Sequence, residues 1–193
     1  MNRITYRDII VFALLVAAGA GFRLLFRDLP NFAPVAALAL FSGYFFRSKS
    51  LALCVPLATM AISDLFIGAY TWQMMALVYG MLMLPAFCGG PLRKAVRFDN
   101  RRASSAWRPA ATLLTCSLGA SFAFFFATNF GAWIWFDSYS QSWSGLVACY
   151  AAAIPFFRYT LAGDMIFAVT LFGSYAVATQ VARRTELQAA TSA

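Results

Sequence analysis

Asp64 stands in Ala61-Ile62-Ser63-Asp64-Leu65-Phe66-Ile67-Gly68, a carboxylate in an otherwise largely apolar stretch. At a bilayer centre such a group costs on the order of 2.5–3.5 kcal/mol, and less near the interface, so it must face other protein groups or a wet cavity. Two roles fit it: a helix-end residue that reaches water or a neighbouring arginine, or a ligand contact. Arg23 is one candidate partner, roughly 22 Å along its segment from Asp8 at about 1.5 Å of rise per residue. Its guanidinium can snorkel to headgroups, pair with Asp64, or clamp a carboxylate or phosphate through two parallel hydrogen bonds. Asn129, within Phe126-Ala127-Thr128-Asn129-Phe130-Gly131-Ala132-Trp133, has four hydrogen-bonding positions to satisfy. It serves either as a tie between helices or as a contact for a polar-aromatic ligand. Arg158 follows Pro155-Phe156-Phe157 in a segment with no easy route to bulk water, and is the first choice for an anion or carbonyl contact. Arg23, Asn31, Asp64, Asn129 and Arg158 fall at the ends of different apolar segments, and Trp133 and Tyr139 are placed to stack on a bound molecule. Arg27, Asp28 and Asp137 are expected to be solvated. Asp164 is expected in the first turn of the last helix, where the helix dipole favours a carboxylate.

Other chemistries lack their residues. The sequence holds no histidine, and Cys54, Cys88, Cys116 and Cys149 have no CxxC spacing, so neither a metal site nor a disulfide framework is expected, and no cofactor. A nucleophile elbow, a phosphate-cradling glycine loop and carboxylates paired at i and i+3 or i+4 are all missing, which points away from an enzyme.

The elements that must position these groups follow from composition. Hydrophobic residues make up 62% of the chain, charged residues 11%, and the mean hydropathy is +0.70, too apolar for a soluble core. An all-α integral membrane protein is predicted, with one membrane domain over 1–193. Six transmembrane helices are predicted at about 8–26, 33–46, 51–68, 73–91, 109–136 and 163–182, the second being the shortest, with Pro34 in its first turn. An additional short helix over 143–157 is predicted to lie in the outer interface or to dip into the bundle as a re-entrant segment.

Orientation follows from the basic residues. Of fifteen lysines and arginines, twelve fall on one side if the N-terminus is cytoplasmic: Arg3, Arg7, Arg47, Lys49, Arg93, Lys94, Arg97, Arg101, Arg102, Arg108, Arg183 and Arg184. That bias predicts that both termini are cytoplasmic. Trp72, Trp133, Trp135 and Trp143 then lie at outer helix ends and Trp107 at an inner one, as indole rings favour interfaces. The first apolar run is expected to remain as a helix because it has no clean small-residue cleavage site. A net charge of +8 confined to short connections argues against nucleic acid as a partner. The basic 93–108 segment serves topology and attraction to anionic lipid, or else docks a cytoplasmic partner. Residues 186–193 read as a frayed tail.

Four stretches carry a resemblance: Leu29-Pro30-Asn31-Phe32-Ala33-Pro34-Val35-Ala36-Ala37-Leu38-Ala39-Leu40-Phe41, Ser63-Asp64-Leu65, Thr128-Asn129-Phe130 and Ala153-Ile154-Pro155-Phe156-Phe157-Arg158. Across about residues 20–173 the chain resembles an uncharacterised family of short bacterial inner-membrane proteins, and more distantly it is similar to the S components of energy-coupling-factor (ECF) transporters. The remoter resemblance implies a six-helix carrier that binds a vitamin or similar small nutrient near the outer face and topples in the membrane to deliver it. It also implies an alanine stripe on the first helix, here Ala13 and Ala17, against an ECF-type coupling subunit that works with ATPases. A subset of such carriers holds cobalamin through a cysteine with an accompanying histidine; Cys149 has no histidine to accompany it. Substrate binding for transport is therefore the expectation. The rival is a non-transporting membrane adaptor that recruits a cytoplasmic partner or anionic lipid through the basic 93–108 segment.

Overall fold

A helix that is apolar on every side is stable only where every side meets protein or lipid. Val35–Phe45 (α2) is such a helix, and each residue from Val35 to Gly43 is buried. The computed structural model describes residues 4–29, 31–96 and 107–191, and the other helices pack around α2. They are Tyr6–Leu25 (α1), Lys49–Ile67 (α3), Trp72–Met83 (α4), a 3-10 turn Leu84–Cys88, Gly89–Ala95 (α5), Trp107–Trp135 (α6) and Trp143–Thr191 (α7). Among the described residues, five helical units are long and apolar enough to cross a membrane: α1, α3, the run Trp72–Ala95, α6 and α7. With 11 residues, α2 rises only about 16 Å and is not.

Local chemistry sets the boundaries. Thr5 Oγ1 caps α1 at Asp8 N while Asp8 returns a bond from Thr5 N, and Ser48 Oγ accepts from Leu51 N to open α3. Gly68, at φ +107°, closes α3 in a conformation that side-chain-bearing residues avoid. Pro85 lacks the N–H that a regular helix would use, and the Trp72–Ala95 unit tightens to a 3-10 turn there. Beside that turn, Gly43 of α2 and Gly89 of α5 meet backbone to backbone: a Cβ on Gly43 would overlap the Ala86 carbonyl, and one on Gly89 would overlap the carbonyl of Gly43. Small residues permit that approach.

One basic residue has a structural duty within the fold. Arg93 Nη1 reaches the carbonyls of Gly43 (2.5 Å), Tyr44 (3.1 Å) and Phe46 (3.2 Å), groups that the end of α2 leaves without helical partners. Arg93→Ala is expected to lower stability by about 1–2 kcal/mol, read as thermal unfolding in detergent, with Arg93→Lys recovering only part because its shorter side chain ends short of the position of Nη1. Arg108 stacks over Trp107, whereas Arg97, Asp99, Arg101 and Arg102 of the basic segment lie outside the described residues.

The principal departure from the predicted elements is at the C-terminal half. A short helix over 143–157, a turn and a separate helix from 163 are predicted; the chain instead runs as one 49-residue helix. Pro155 misleads here, since an interior proline costs a soluble helix about 3 kcal/mol but is accommodated in membrane-spanning helices packed closely against a neighbour. The neighbour is α6, which runs antiparallel to α7: the Phe157 ring lies 4.5 Å from that of Phe125 and 5.2 Å from that of Phe122, and Tyr150 donates to Phe126 O at 2.7 Å. The predicted frayed tail is also helical as far as Thr191.

Candidate functional site

Two carboxylates are buried among the described residues, and the fold treats them differently. Asp64, in the last turn of α3, is 7% exposed. Parallel packing of α1 and α3 brings Arg23 beside it, and Arg23 Nη1 donates to Asp64 Oδ1 at 2.8 Å and to Ser63 Oγ at 2.5 Å. Tyr79 of α4 donates to Asp64 Oδ2 at 2.7 Å. Both oxygens are thus satisfied and the charge is neutralised, so of the roles open to Asp64 and Arg23, pairing is the one realised. Tyr70, at the rim and 39% exposed, has its phenol pKa raised first by partial withdrawal from water and then by the charge of Asp64, with Arg23 opposing.

Asp164 is the other buried carboxylate, at 4% exposure. Because α7 is continuous, it does not occupy a first turn, and the helix-dipole account of it fails. It faces α6, where Ser121 Oγ donates to its Oδ2 at 2.5 Å. Ser121 is the middle residue of the 29-residue α6, about 21 Å from either end. No protein hydrogen bond reaches Asp164 Oδ1 among the described residues, and no lysine or arginine nitrogen pairs with the carboxylate. Gly163, its neighbour, packs where a Cβ would come within 3.4 Å of Ala33 N and Phe32 Cδ2, which sets Asp164 beside the start of α2.

A cavity of about 500 Å³ opens here, above the first turn of α2. Its floor and inner wall include Val35, Ala36, Pro85 and Ala120; its sides carry Met60, Met74 and Met81 and the rings of Phe26, Phe32 and Phe124; Arg23, Arg27, Tyr70 and Phe136 stand toward the rim. Asp164 and Thr160 line it from α7. An adjoining hollow of about 200 Å³ shares Asn31, Met74, Val78, Phe124 and Thr160 with it. The combination of an apolar wall and a few convergent polar groups is that of a small-molecule site. A separate hollow of about 530 Å³ lies among Thr5, Arg7, Asp8 and Arg47 at the far end of α1, where Thr5 and Asp8 bond each other and Arg7 stacks over Phe45.

The residues singled out in the sequence divide around this cavity. Arg23 and Asn31 line it, Asn31 with a left-handed φ of +60° that asparagine tolerates. Asn129 lines the smaller hollow, but its amide donates to Phe125 O of its own helix at 2.7 Å and ties no second helix. Arg158 is exposed on α7, with Nη2 donating to Tyr159 OH at 3.0 Å and the guanidinium stacked on that ring, so it is not held in the bundle and does not line the cavity. Trp133 Nε1 donates to Ser140 O, and Gln141 Nε2 donates to Trp133 O; the indole closes the α6–α7 connection, and neither it nor Tyr139 lines the cavity. Cys149 is buried, with its thiol on Asn129 O. Ala13 and Ala17 are exposed on α1, on the side away from Gly19, which packs against Leu38 and Thr59. Among the described residues no cluster of three or more potential metal ligands occurs.

The model of a family of unknown function, DUF6580, matches residues 3–187. The chain belongs to this family. Neither a curated protein nor a solved structure matches the DUF6580 chain. Sequence reasoning gives Asp164 only a first-turn role and passes over the rest of the polar core of this DUF6580 member: Tyr79 and the inward stripe of Ser117, Ser121 and Thr128 on α6. The stripe is visible in hindsight, because its members recur at helical spacing in a run otherwise crowded with phenylalanine.

Proposed function

We propose that the protein is an integral membrane carrier that binds a small nutrient in the cavity above α2 and releases it on the other side of the membrane. The observation that carries this reading is the 500 Å³ chamber with a buried, half-unpartnered carboxylate in its wall. Charge bias orients it in a bacterial inner membrane with both termini cytoplasmic, so that the connections 26–34, 68–71 and 136–142 and the mouth of the cavity face outward. In that arrangement α2 is the second of six crossings and completes its passage with non-helical chain, which a membrane protein tolerates where the backbone is buried or lines a cavity. The distant resemblance to ECF S components supports a vitamin-sized cargo, and the exposed Ala13 and Ala17 face of α1 supplies a surface for a coupling subunit.

Thermal unfolding of the purified protein against a set of vitamins and related nutrients tests the proposal. A cargo at a hundred times its Kd should stabilise by about 2.7 kcal/mol. Absence of any stabilising nutrient, with unaltered growth of a deletion strain on scarce vitamins, would overturn it. The adaptor alternative gains nothing from Arg93, which is tied to the end of α2 and so removes one cation from the surface such an adaptor would present.

A further inference from the structure

Charge around the cavity is almost entirely self-compensated. Arg23 is matched by Asp64, and Arg27, at the open rim, lies 3.9 Å from Asp28. Among the described lining residues Asp164 alone has no counter-charge, and it is the most deeply placed charged one. Its Oδ2 is held by Ser121, which fixes the carboxylate's orientation, while Oδ1 is left without a protein donor among the described residues. The walls around it are methionine and phenylalanine, adaptable and polarizable surfaces that accept an apolar body and whose rings attract a cation through their faces.

We infer that the molecule bound here carries one basic nitrogen on an otherwise apolar body, and that Asp164 Oδ1 receives that nitrogen's N–H while Ser121 holds Oδ2. The inference rests on the binding function proposed above and names its cargo class. A cationic nitrogen supplies both things the site lacks, a hydrogen-bond donor and a positive charge, and does so in a water-poor wall where a charge-assisted bond is strong. An anionic cargo would instead meet Asp164 as a like charge, and beside a neutral one the carboxyl would have to take up a proton to shed its charge. Among the other buried polar features, the hydroxyls of Thr59 and Ser117 are also without partners but do not line the cavity.

Equilibrium binding of naphthylmethylamine, naphthylmethanol and naphthoate to the purified full-length protein compares one body with three head groups. The amine is expected to bind at least about tenfold more tightly than the alcohol, with the carboxylate weakest. Asp164→Asn, which keeps the side-chain shape, is expected to abolish that preference. Ser121→Ala retains the carboxylate and should retain the amine preference. The three-ligand comparison on the unaltered protein needs no variant to fold. Equal binding of amine and alcohol, an undiminished preference in Asp164→Asn, or no binding of the amine overturns the inference. Tight binding of the alcohol or carboxylate in its place would leave the carrier function standing and remove only the basic nitrogen; silence of all three together with an empty nutrient screen removes both.

Discussion

Arg23→Met is expected to destabilise the protein by about 3–5 kcal/mol, because it strands a buried carboxylate that has lost its cation. The side chains of Arg23 and Asp64 are only 14% and 5% exposed, so water compensates little of the loss. Tyr79 would still donate to Asp64 Oδ2, which places the effect short of complete unfolding. The double variant Arg23→Met/Asp64→Asn should regain most of the lost stability, since replacing both members of a buried pair is far milder than removing one. A thermal or chemical unfolding cycle of the two single variants and the double gives the coupling directly. Additive losses in the double variant would mean that the pair is not the tie between α1 and α3 that its geometry describes.

Gly43→Ala should be among the most damaging single-methyl additions to the described residues. The added Cβ would meet the Ala86 carbonyl rather than a side chain able to turn away, so α2 and the 3-10 turn would have to separate. Overpacking of this kind costs about 1–3 kcal/mol and occasionally more. A backbone-on-backbone contact belongs at the upper end, and Gly89→Ala should behave alike. Gly119 of α6 is the internal comparison: nothing stands within 4 Å of a Cβ there, so Gly119→Ala should be neutral or gain up to about 1 kcal/mol from helix propensity. Unfolding midpoints of the three variants, measured in one detergent, check the order. If Gly43→Ala were as stable as Gly119→Ala, the close approach of α2 and the Trp72–Ala95 unit would be wrong.

Much of the helical framework was legible because apolar length is a strong signal: α1, α3, the Trp72–Ala95 unit and α6 all fall within a few residues of where hydropathy and caps put them. What was not legible was continuity. Pro155 and Arg158 read as a break in sequence, yet whether a proline ends a helix depends on the neighbour packed beside it, and the rings of Phe122 and Phe125 come from thirty residues earlier in the chain. That one misreading carried into the site. A break at 158–163 gave Asp164 a harmless first-turn role and gave Arg158 a buried one; with the helix unbroken, the two exchange places, Asp164 inside and Arg158 on the surface. Arg23 beside Asp64 was legible as one of several options, because both lie near the C-terminal ends of the first and third segments, which run the same way. The partnership of Asp164 with Ser121 was not, since it depends on the rotational setting of two long helices that no local pattern reports.

The place where α2 begins has a consequence for what the chamber can hold. Its room is fixed by the path of the backbone, and less by the bulk of any one side chain: trimming Met74 or Phe124 would widen a wall, but one further turn ahead of Val35, about 5.4 Å of rise, would stand in the chamber itself. On the carrier function proposed above, cargo size is metered by a helix that starts late, and a graded series of insertions before Pro34 would act as a ruler for it.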